Sequence, residues 1–174
     1  MEGACRRTVT VSGHRICYQE AGPADGPVIV LIHGLLSDSE TWSGTIGPLA
    51  ARGMRVLAVD LLGHGNSDAP RGQYLLDDFA DFLGGFLDAL GLESVIVCGH
   101  SLGGAIAVHF GYHHPQRVER LVLVSAGGLG KEVNLALRAL SVPGAQALTG
   151  AVLGRRAVQW LVRKHWIYRW LRLR

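Results

Sequence analysis

Ser94-Val95-Ile96-Val97-Cys98-Gly99-His100-Ser101-Leu102-Gly103-Gly104-Ala105 is the stretch whose reading decides the fold. An apolar, β-prone run breaks into Gly-x-Ser-x-Gly and continues as helix-compatible Ala105-Ile106-Ala107-Val108-His109-Phe110. Glycines two before and two after a serine let the backbone turn sharply from strand to helix, which holds the hydroxyl clear of the sheet. With glycine at 24 of 174 positions the five-residue pattern arises readily by chance, so its flanks carry the weight. Strand before and helix after are what a nucleophile on a strand-to-helix turn requires.

Outward from this turn, the chain alternates between two kinds of segment. Val28–Ile32, Val56–Val59, Val95–Cys98 and Leu121–Val124 are short apolar runs separated by helix-length stretches. They read as parallel strands buried on both faces. Thr8–Val11 and Arg15–Gln19, split by Ser12-Gly13-His14, suggest an opening hairpin. Phe79, Phe82, Leu83, Phe86, Leu87 and Leu90 fall on one helical face, with Asp77 and Asp78 suited to its start and Gly91 to its end. A second helix is predicted from Leu102 toward His114, where Pro115 stops it. The fold class is therefore α/β with a doubly wound, mostly parallel sheet.

Composition agrees with a globular domain: 48% of residues are hydrophobic and 18% charged. Cys5, Cys17 and Cys98 are odd in number and lack C-x-x-C spacing, which supports neither a disulfide framework nor a zinc site. The start, Met1-Glu2-Gly3-Ala4-Cys5-Arg6-Arg7, lacks the apolar core of a signal peptide, and no run of eighteen apolar residues occurs. A cytoplasmic protein is expected.

Three loops then carry a family resemblance. His33-Gly34 follows the run Pro27–Ile32, Asp60-Leu61-Leu62-Gly63-His64-Gly65-Asn66-Ser67 follows Met54–Val59, and the Ser101 turn comes third. In that order they resemble the N-terminal half of the α/β-hydrolase superfamily, its serine-nucleophile branch. The stretch Leu121-Val122-Leu123-Val124-Ser125-Ala126-Gly127-Gly128-Leu129-Gly130 is similar to the family's sixth strand and exit loop. The resemblance covers residues 8 to about 130, so residues 1–130 are expected to be the hydrolase core. Residues 131–174 are expected to begin a helical cap, with the sheet truncated after the sixth strand. Arg120–Ser125 would then be an apolar edge inviting self-association.

The resemblance implies acyl transfer on an ester-like or activated carbonyl substrate, with Ser101 as nucleophile. The backbone N–H groups of Leu35 and Leu102 would form the oxyanion hole. No cofactor and no metal is implied. Serine at this position argues against the dehalogenase and epoxide-hydrolase branches, which use aspartate there. Esterase, lipase-like, thioesterase and carbon–carbon bond hydrolase activities stay open. A serine hydroxyl is a weak nucleophile until a histidine oriented by a carboxylate takes its proton. The family places both after the nucleophile, yet no Asp or Glu follows Glu132 and Ser125–Gly130 carries none. Triad acid and base are thus unassigned, and a non-catalytic scaffold or interaction protein is the rival reading.

The histidines and the other loop acids have structural readings. His165 sits among Arg163, Lys164, Trp166 and Tyr168 in a helix-like segment rather than at a strand end, and is not taken as the base. His33 and His64 shape their loops, His100 packs beside the serine, His109 is structural within its helix, and His113 and His114 close that helix. Asp60 ties the loop after its strand, and Asp68 is a turn residue.

Charge divides the chain. Residues 1–132 hold 9 Lys/Arg and 14 Asp/Glu, a net of −5, whereas 133–174 hold 8 Lys/Arg and no acid, a net of +8. Trp160, Trp166 and Trp170 lie in that basic tail. A basic aromatic helix over 155–174 suits an anionic membrane surface, but a cap helix is the preferred reading because the segment falls where the family inserts one. Nucleic acid is not expected as a partner, since no fold or motif signal accompanies the charge.

Overall fold

A computed structural model describes residues 5–70 and 74–127. The segment 131–174, the tail 155–174, His165 and the boundary expected near residue 130 lie outside the described residues.

The chain opens with a hairpin, β1 (Cys5–Val11) and β2 (His14–Ala21), turned at Ser12-Gly13, both with positive φ. β3 (Val28–Ile32) leads through a 3-10 turn (Ser39–Trp42) into α1 (Ser43–Ala50), then β4 (Arg55–Val59). α2 (Leu76–Ala89), β5 (Val95–His100), α3 (Leu102–His113) and β6 (Val118–Val124) follow. The six strands form one sheet in the order β1-β2-β4-β3-β5-β6. β1–β2 and β2–β4 pair antiparallel, whereas β4–β3, β3–β5 and β5–β6 pair parallel. This is the mostly parallel α/β sheet that the apolar runs predict.

Continuous apolar runs suit strands covered on both faces, because successive side chains point to opposite sides. In β3, Val30 and Ile32 join the core under α2 and α3, while Ile29 and Leu31 join a second core with Trp42 and Ile46 on the α1 side. β4 divides alike, with Leu57 and Val59 on one side and Val56 and Ala58 on the other. α2 buries Phe79, Phe82, Leu83, Phe86 and Leu87, the stripe its periodicity marks. Each such side chain contributes about 1.5–3 kcal/mol relative to exposure. The carboxylate of Asp78 accepts the Leu75 N–H at the helix start (2.9 Å), and Gly91 lies just past its end at φ +66°.

Two features depart from the sequence reading. Leu121–Val124 of β6 are 37–42% exposed rather than buried on both faces, because β6 is the margin of the described sheet. Asp68 is more than a turn residue: its carboxylate accepts the Arg15 N–H at 2.7 Å and its own N–H reaches the Arg15 carbonyl, which ties the loop after β4 to β2.

Candidate active site

Ser101 is the single residue between β5 and α3, at φ 54° and ψ −115°. A side chain other than glycine rarely adopts that conformation, and such residues persist only where their surroundings over-determine them. Here the surroundings are backbone. A Cβ on Gly99 would lie 2.1 Å from the Gly103 carbonyl oxygen, and one on Gly103 would lie 2.4 Å from that of Ile32. α3 therefore starts pressed against both β5 and the end of β3. The Ser101 N–H donates to the Val124 carbonyl (3.1 Å), and its own carbonyl accepts from Gly104, Ala105 and Gly127. Every backbone direction at Ser101 is held, leaving the half-buried side chain to project from the turn.

The loop leaving β3 comes to the same place. A Cβ on Gly34 would stand 3.2 Å from both the Ser101 Cβ and the His100 Nδ1, so only a glycine passes there without displacement. Leu35 follows immediately, its side chain 44% exposed. Leu102 is the first residue of α3, and its N–H belongs to the first turn, where helical donors lack intrahelical acceptors. The structure thus brings the loop carrying Leu35 and the N-terminus carrying Leu102 to Ser101.

Buried polar side chains brace this loop from beneath. His33 is fully buried; its Nδ1–H donates to the Gly34 carbonyl (2.7 Å) and its Nε2 accepts from the Leu61 N–H (3.1 Å). Both ring nitrogens are committed, which fixes the neutral tautomer. Burial pushes its pKa down from 6.5 to about 4, and burial also lowers that of His64, whose ring nitrogen bonds the Leu62 carbonyl. Asp60 is likewise buried, its two carboxylate oxygens accepting the N–H groups of Ser39 and Asn66, each at 2.8 Å. Asp60 ties its loop, and it reaches back to the turn before α1 as well, a link that the sequence does not signal. His100 sits beside Gly34, its Nδ1 buried and without a hydrogen-bond partner among the described residues.

Among the described residues, no imidazole or carboxylate hydrogen-bonds the Ser101 hydroxyl. His33 and Asp60 are occupied elsewhere, and His109 is bound to Asp77 (2.5 Å), a partner 32 residues away that helical periodicity could not reveal. The described residues thus present a held serine with the Gly34-Leu35 loop and the start of α3 beside it. They include no helix long and apolar enough to cross a membrane.

The chain is similar to known proteins. An uncharacterized protein of Mycobacterium tuberculosis (strain ATCC 25618 / H37Rv) is 47% identical over 140 residues, which are 80% of this chain and 40% of that one. The crystal structure of a membrane phospholipase A, described as a bacterial virulence factor, superposes with a TM-score of 0.72 at 31% identity, over 75% of this chain and 42% of that one. That of an epoxide hydrolase from Vigna radiata superposes with a TM-score of 0.70 at 28% identity, over 84% and 46%. The chain spans less than half the length of each. A sequence model for the alpha/beta hydrolase fold matches residues 27–148, from the strand before His33-Gly34 to beyond the Ser101 turn, and with it the chain belongs to the α/β-hydrolase family.

Proposed function

We propose that the protein is a serine hydrolase acting by acyl transfer on ester-like or activated carbonyl substrates, with Ser101 as nucleophile and the backbone N–H groups of Leu35 and Leu102 as oxyanion donors. The observation that carries this reading is the Ser101 backbone, held at φ 54° by close glycine contacts with the Gly34 loop alongside. Strain of that kind is kept where it places a reactive group. Attack by the Ser101 Oγ on the substrate carbonyl forms a tetrahedral oxyanion, and two N–H groups aimed at it stabilise the charge as it develops. The proton leaves Ser101 to a histidine base, which the described residues do not supply. The phospholipase A neighbour supports an ester substrate. The epoxide-hydrolase neighbour shares the scaffold, but the serine here favours acyl transfer over epoxide opening, for which that branch uses an aspartate.

A fluorophosphonate probe tests the reading. Ser101 should become covalently labelled, as mass spectrometry of the tryptic peptide would show, and Ser101→Ala should abolish the label. In a form of the protein that turns over an aryl ester, the same change should lower kcat by about 10⁶. An unlabelled Ser101 beside a labelled control hydrolase would instead identify a non-catalytic scaffold.

A further inference from the structure

Outside the Ser101 turn, one cluster of side chains among the described residues has the composition of a ligand set. His109 and His113 are one helical turn apart on α3, so both face the same way, with ring centroids 4.5 Å apart. Asp77, in the first turn of α2, closes the third side: its Oδ1 lies 2.5 Å from His109 Nε2. One donor atom from each residue falls within 4.8 Å of the other two. The Asp77 side chain is 71% exposed and that of His109 is 26% exposed, which leaves an open side for water ligands.

We propose that Asp77, His109 and His113 form a binding site for a divalent transition-metal ion of the zinc class, clipping the start of α2 to the end of α3. Two imidazoles and one carboxylate favour zinc, nickel or copper over magnesium or calcium, which prefer sites built from oxygen. His-x-x-x-His on a helix is a spacing that lets two rings reach one ion. Ligands at about 2.0–2.2 Å from a tetrahedral centre stand roughly 3.3–3.6 Å apart, so the 2.5 Å His109–Asp77 pair opens and the wider gaps close. Rotation of the exposed Asp77 and His113 side chains about the partly exposed His109 would bring the three donors to that spacing. The carboxylate offsets one of the ion's two charges, and water completes the coordination. The site is independent of the chemistry proposed for Ser101.

Zinc titration of the full chain, in competition with a chromophoric chelator, tests the proposal. One ion should bind per chain, and His109→Asn, His113→Asn and Asp77→Asn should each weaken the affinity at least about tenfold while the far-UV circular dichroism stays unchanged. Absence of binding at ~100 µM zinc overturns the site. So does a smaller loss in any one of the three variants, which would leave the His109–Asp77 contact an ordinary interhelical pair. On the unsubstituted chain, zinc should protect His109 and His113 from diethyl pyrocarbonate, and equal modification with and without zinc would overturn the proposal whether or not the variants fold.

Discussion

The turn at Ser101 and the loops that leave β3 and β4 lie side by side, yet they are held by different forces. At Ser101 the constraint is steric: the Gly99 and Gly103 backbones approach carbonyl oxygens more closely than any Cβ allows, and a Cβ on Gly34 would press on Ser101 and His100 at 3.2 Å. In the neighbouring loops the constraint is polar: His33 and Asp60 each use both hydrogen-bonding atoms on backbone groups, one in their own loop and one in another segment. The first kind of constraint is indifferent to pH and intolerant of added volume. The second is sensitive to protonation, because a buried imidazole that accepts a hydrogen bond cannot take up a proton without breaking it.

The sharpest attempt to break this contrast is Gly99→Ala. Its new methyl would fall 2.1 Å from the Gly103 carbonyl oxygen, which is backbone and cannot swing aside. A loss of about 3 kcal/mol or more in urea unfolding is expected. A near-neutral result would mean that the turn is looser than its geometry, and that Ser101 is not sterically locked.

Acid should act on the other side of the contrast. In the unfolded chain His33 takes up a proton near 6.5, whereas in the fold it does so only near 4. Below pH 6.5 the unfolded state therefore binds a proton that the native state refuses. Stability is full above that pH and falls as pH drops toward 4, by about 3 kcal/mol from this group alone. His64 is shifted in the same direction and adds to the loss. Unfolding measured across this range should slope downward with acid, and His33→Gln, although less stable at neutral pH, should flatten the slope. Parallel profiles for the two proteins would remove His33 as the cause.

The smallest effect has the opposite sign. Ser101→Gly relieves the strain at φ 54° and should stabilise the chain by roughly 1 kcal/mol after the added flexibility of the unfolded glycine is deducted. The gain would appear as a higher thermal midpoint. A lower midpoint would show that the serine side chain itself stabilises the turn.

How much of this was legible beforehand follows from the same distinction. Gly99, Gly103 and Gly34 announce close contacts by their identity alone, and the apolar runs of β3 to β5 and the stripe on α2 carry their periodicity openly. α1 is signalled only as a helix-length stretch between two strands, with no residues that place it: Ser43-Gly44-Thr45-Ile46-Gly47-Pro48-Leu49-Ala50 contains two glycines and an internal proline, and buries only Ile46. Its helix rests on packing against Trp42 and the outer core more than on local preference. The partners of Asp60 and Asp77 were hidden for another reason. A carboxylate at one position says nothing of which backbone or ring, 21 or 32 residues away, will meet it. Leu121–Val124 misled because an apolar strand looks the same whether it ends at a sheet's margin or inside it.

The strand order also sets a timetable for assembly. Only the β1–β2 pair is closed by a tight turn; β3 meets β4 across 27 residues, with Val28 opposite Arg55, and meets β5 across 67, with Ile29 opposite Ile96. Loop closure of that length slows folding, since the entropy is lost before the contacts form. As the chain emerges from the ribosome, Val28–Ile32, a strand buried along almost its whole length in the fold, waits longest for its second neighbour. Its Val-Ile-Val-Leu-Ile sequence is the kind that pairs with any free edge meanwhile. Yield at the bench should therefore depend on synthesis rate and on chaperones holding that strand, a demand imposed by topology before the Ser101 turn has formed.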